Sequence, residues 1–118
     1  MKTQTSDRYD RRLKNWFRAY NRAYFENSLP DPKILRYTEL KDAAGVTHYE
    51  EGGINRVPQE ILIHSALRYF PRISQTILLH EMAHVSINCV GGCHVFHGMR
   101  WQAEILRLFM AGAYEELL

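Results

Sequence analysis

The chain has 118 residues, 46% apolar and 24% charged, with a formal net charge of +2. That balance fits one globular domain over residues 1–118 with a core of its own. It excludes a membrane-spanning protein, because no apolar run approaches the roughly 20 residues a transmembrane helix needs. It also excludes a disulfide scaffold, because Cys89 and Cys93 are the only cysteines.

Met1 to Arg12 is polar and charged and does not read as a signal peptide. The expected setting is therefore cytoplasmic and reducing, or nuclear or nucleoid-associated if DNA is involved. The net charge hides an asymmetry. Residues 1–22 carry seven Lys or Arg against Asp7 and Asp10, and the remainder of the chain is net acidic. A basic segment of this kind is either a solvated helix face or a contact for an anionic partner.

In chain order, residues 7–27 read as an amphipathic helix. Leu13, Trp16, Phe17, Tyr20 and Tyr24 recur at helical spacing and predict a core-facing stripe. Arg11, Lys14, Arg18 and Arg22 form a second stripe and are the candidate nucleic-acid contacts. Ser6 is the expected N-cap, and Asn27-Ser28 with Pro30 and Pro32 stop the helix. Three short strands follow, at 33–37, 45–50 and 59–64, the second closed by the turn Glu51-Gly52-Gly53. Together with the helices they predict an α+β fold, with a small antiparallel three-stranded sheet. His48 and His64 read as ordinary strand histidines.

Residues 72–88 predict a buried helix that contains His80-Glu81-Met82-Ala83-His84. On a helix, residues four apart have Cβ atoms about 5–6 Å apart, so both imidazoles can reach one metal ion. Glu81 is rotated by roughly 100° from His80, where it can reach a water on that metal rather than the metal itself. Two neutral ligands and an adjacent carboxylate suit zinc-assisted peptide hydrolysis. A last helix, from about Gly98 to Tyr114, places Trp101, Ile105 and Leu108 on one face.

Catalytic zinc takes three protein ligands and keeps one position open. His97, His94 and Glu104 are the downstream candidates for the third. Glu104 lies at the spacing of the thermolysin-like Glu ligand. The metzincin pattern fails, because Ile87 stands where its Gly should be. A structural Cys₂His₂ site from Cys89, Cys93, His94 and His97 is the competing arrangement. Its spacing is tight, and it leaves His80 and His84 without a purpose. Tyr49, His94 and Tyr114 are candidates for a donor to the developing oxyanion, and Glu104 for a substrate-facing role.

His97-Gly98-x-x-Trp101 downstream of His80-Glu81-x-x-His84 resembles the SprT/Spartan family of zinc metalloproteases. Phe17 to Phe25, Leu29-Pro30, Ala44 to Tyr49 with Gly52-Gly53, and Ile77-Leu78-Leu79 carry further similarity. The resemblance implies a zincin-like minimal metalloprotease domain, with the sheet packed on the N-terminal, motif and C-terminal helices. It implies one zinc ion held by His80, His84 and His97, with Glu81 as catalytic acid and base. It also implies a protein or peptide substrate, bound on or crosslinked to DNA. The Cys₄ zinc ribbon that family members often carry is not among these residues, so the basic first helix is the expected DNA contact. Two other readings remain at this stage: a catalytically idle adaptor stabilised by zinc, and a nucleic-acid-binding module using the basic helix.

Overall fold

A computed structural model describes residues 8–49, 58–87 and 98–117. Helix α1 covers Arg11–Tyr24, strand β1 Ile34–Thr38, β2 Gly45–Tyr49 and β3 Pro58–His64. A 3₁₀ helix at Ser65–Tyr69 leads into α2, Pro71–Ser86, and α3 covers Met99–Met110.

The amphipathic reading of α1 holds, but the helix is shorter than expected at both ends. Tyr9 forms a parallel bridge with Leu35, and the Asp10 N–H donates to the Leu35 carbonyl at 2.8 Å. The backbone is therefore extended there, and the N-cap is Asp10 rather than Ser6, its carboxylate accepting from the Leu13 N–H at 3.0 Å. At the other end the helix stops at Tyr24, because Glu26 and Asn27 turn left-handed, with φ of 55° and 57°. Asn21 fixes this turn from inside: its amide donates to the Leu29 carbonyl at 2.9 Å and its oxygen accepts the Leu29 N–H at 3.1 Å. Asn21 is buried, so these bonds remove a desolvation cost as well as closing the loop.

The sheet has the order β1-β3-β2. The expectation of an antiparallel sheet is corrected here, because the sheet is mixed. β3 runs antiparallel to β2 but parallel to β1, with Leu35 beside Ile61 and Tyr37 beside Ile63. The reason lies in burial. Ile61 and Ile63 are fully buried, which suits the central position, and the parallel register lays Leu35 and Tyr37 against the same core. The segment between β1 and β3 is long enough for the crossover that a parallel pair requires, and β2 lies within it. β2 is left at an edge, half-buried along most of its length.

Helix α2 lies at the centre, touching α1, α3, β2, β3 and the 3₁₀ helix. Pro71 stands at its first turn, where the missing N–H costs no hydrogen bond. Its buried residues, Ser74, Leu78, Leu79, Glu81, Met82, Ala83 and Val85, cover most of its circumference. They meet Leu13 and Phe17 of α1, the sheet residues above, and Leu108 of α3 in one core. Ser74 registers the helix on the sheet. It accepts from the Tyr37 hydroxyl at 2.8 Å and donates to the Leu67 carbonyl at 2.5 Å. No described helix is long and apolar enough to cross a membrane.

Candidate active site

His80 and His84 sit one turn apart on α2, and their ring centroids are 5.0 Å apart. Both are half-buried. Trp101, from the first turn of α3, lies against both rings. It is tilted on His80 at 4.8 Å and stacked at 22° on His84 at 5.4 Å. Its indole N–H reaches the His80 carbonyl at 3.5 Å. The aromatic three residues past Gly98 thus restricts the swing of both imidazoles.

Glu81 is buried, which is costly for a carboxylate. Burial pushes its carboxyl pKa up, and the Thr47 hydroxyl opposes that by donating to Oε1 at 2.7 Å. The second oxygen, Oε2, lies 4.0 Å from His80 Nε2. Strand β2 closes around the carboxylate. A Cβ on Gly45 would stand 3.2 Å from Glu81 Oε2 and 2.6 Å from Ile77 Cγ2. Only glycine lets the strand come this near. Gly45 and Thr47 went unassigned in the sequence. The available signal was a glycine opening a strand, which marks a close backbone approach.

Two imidazoles at this separation suit one zinc ion, which binds the ring in its neutral form. Among the described residues no three His, Cys, Asp or Glu side chains converge. His97 and His94, like Cys89 and Cys93, lie outside the described residues. The remaining candidates separate by their contacts. Glu104 binds Ser86 and forms a two-pronged bond to Arg107, at 2.9 and 2.8 Å. Tyr114 is buried and lines a groove together with His80, its hydroxyl pKa pushed up to about 12 by burial and by nearby Tyr20. Tyr49 ends β2 beyond a bulge between His48 and Tyr49, so simple alternation does not set its direction. His48 pairs with Glu60 at 2.7 Å, and His64 caps the 3₁₀ helix by accepting the Ala66 N–H. Of the basic stripe, Arg11, Arg18 and Arg22 are exposed, while Lys14 lies over the Tyr9 ring at 4.0 Å.

The Glu104 contacts set a pH dependence. The Arg107 hydrogen bonds hold its carboxyl below the usual range, against partial burial, with Ser86 adding to the effect. A depressed folded pKa gives stability that is present above the ordinary carboxylate range and lost as pH falls through the folded value. Arg107 is largely solvated, which limits the size. Glu104→Gln is expected to cost about 1 kcal/mol at neutral pH and almost nothing in strong acid, as read by urea unfolding at both.

The model of the SprT-like family matches residues 13–115. No curated protein and no solved structure matches the chain. The matched segment runs from α1 through the paired histidines to Glu115, most of the sequence, and the chain belongs to the SprT-like family.

Proposed function

We propose that the chain is a zinc-dependent endopeptidase. Membership of the SprT-like family supports the coarse metalloprotease-like class. The carrying observation is the placement of Glu81, with one oxygen anchored on Thr47 and the other 4.0 Å from His80 Nε2. In this reading His80, His84 and His97 hold one zinc ion. Bound zinc would polarise the scissile carbonyl and lower the pKa of the attacking water.

The chain's own residues then move the proton. Glu81 receives it from the water at Oε2 while Oε1 stays on Thr47. The water oxygen bonds to the carbonyl carbon, Glu81 hands the proton to the amide nitrogen, and the C–N bond breaks to leave a carboxylic acid and an amine. The acid then gives its remaining proton to the amine, so the products are a carboxylate and an ammonium. Tyr114 keeps its proton at neutral pH, which suits a donor to the oxyanion. β2 is an edge strand in contact with α2, so a peptide added along it would run past Glu81. Trp101 keeps the imidazoles aligned throughout.

The substrate class follows the resemblance: protein bound on or crosslinked to DNA. Exposed Arg11, Arg18 and Arg22, with Lys14, are the proposed DNA contact. An idle adaptor stabilised by zinc would need the histidines but no buried carboxylate beside them.

Metal removal tests the proposal. Zinc-loaded protein is expected to digest casein or histone, to lose this on chelation, and to regain it when zinc returns. Single-stranded DNA should stimulate the cleavage. Replacing Arg11, Lys14, Arg18 and Arg22 together by Gln should remove that stimulation and spare basal digestion of an unfolded substrate. A chain that binds zinc and cleaves neither protein would overturn the peptidase reading.

A further inference from the structure

The groove that contains His80 has a chemistry of its own. It runs between α2 and α3 with a volume of about 470 Å³, and its lining is predominantly apolar. Ile77, Trp101, Ile105, Phe109 and Tyr114 are among the lining residues. Thr76, Ile77 and His80 form the α2 side, and Tyr114 belongs to the turns after α3. Trp101 belongs to both structures: it lies on the two imidazoles and also forms part of the groove. Glu81, by contrast, reaches toward β2 through Thr47. The groove and the paired histidines are thus continuous, and no described Asp, Glu, Lys or Arg lines it.

Phe109 is 54% exposed and Leu106 60% exposed, although both border this groove. Large apolar side chains left in water gain by being covered, and the groove is roomy enough for another large side chain. A peptide whose carbonyl sits at His80 and His84 has the side chain of an adjacent residue within reach of it.

We infer that this groove is a specificity subsite that takes a large apolar side chain, Leu, Met or Phe, of the substrate residue flanking the scissile bond. The inference rests on the peptidase reading for its location, since the imidazole pair fixes where the substrate carbonyl sits. Selectivity comes from desolvation of the apolar side chain together with Ile105 and Phe109. A charged side chain there would lose water and meet no Asp, Glu, Lys or Arg among the described lining residues.

The test uses the zinc-loaded protein and capped peptides that differ only in the residues flanking one bond: Gly, Asp, Lys, Leu or Phe. Leu and Phe peptides are expected to exceed Gly and Asp peptides by about 10- to 100-fold in kcat/KM. Phe109→Glu, at a half-exposed position, should keep fold and zinc content while shifting the preference from Phe toward Lys. Binding is read separately in zinc-loaded Glu81→Gln protein carrying Trp16→Phe, where Trp101 is the remaining indole. Phe peptides should quench its fluorescence at concentrations about 10-fold below those of Gly peptides. Equal cleavage of all peptides, or a preference that Phe109→Glu leaves unmoved, would overturn the subsite and leave the peptidase standing. Absent cleavage with selective Phe binding, lost in Phe109→Glu, would overturn the peptidase and support the groove as an apolar side-chain site. Absence of both would overturn both.

Discussion

Glu81→Gln is expected to lower peptide hydrolysis by about 10²–10⁴-fold while zinc content stays at the parental level. The amide matches the carboxylate in shape, so the packing against Gly45 and the bond from Thr47 are conserved in outline. What it loses is the ability to accept a proton. Thr47→Val removes the hydroxyl and keeps the branched shape. It should give a smaller loss, about 10-fold, because a base is still present but has lost both its anchor and the bond that opposes the upward push of burial on its pKa. Both are measured as kcat/KM on one peptide, beside zinc content and thermal unfolding. Unaltered cleavage by Glu81→Gln would remove Glu81 from the chemistry.

The zinc content of four single variants is expected to divide three against one. His80→Ala, His84→Ala and His97→Ala should each lose most of the metal, since three ligands hold it and none is in surplus. Glu104→Ala should retain it. Glu104 already satisfies Ser86 and Arg107, and using it as a ligand would break a two-pronged bond. Elemental analysis after dialysis reads the result. Loss of zinc in Glu104→Ala alone, with His97→Ala still loaded, would move the chain to a Glu-ligand type of site.

Much of the fold was legible because burial leaves a period in the sequence. Leu13 and Phe17 announced α1, and both are buried. Ile61 and Ile63 announced β3, and a segment apolar around most of its circumference announced a buried helix. The direction of strand pairing was not legible, since the same alternation serves parallel and antiparallel neighbours. The start of α1 was misplaced because Ser6 and Asp10 are both good caps, and only the bridge from Tyr9 to Leu35 decides between them. Within the site, the paired histidines and Glu81 follow from spacing on one helix. Thr47 does not, because it reaches Glu81 across 34 positions of chain. The groove was hidden for the same reason: the period placed Ile105 on α3 but said nothing of the space that α2 leaves beside it.

The strand order carries a consequence for how the chain comes together. β1 and β2 are made first, yet they do not pair with each other, and both wait for β3. A nascent chain that ends before residue 58 has two strands without the partner they share. Once β3 is available it completes both ladders at once, and the 3₁₀ helix turns the chain directly into α2. Joining β2 to the sheet is therefore also a requirement for Thr47 to meet Glu81. Such non-local pairing is intrinsically slow. It also makes assembly of the proton-handling carboxylate inseparable from closure of the sheet. A partly folded chain with β2 undocked would have its two histidines on a helix but no finished pocket around Glu81.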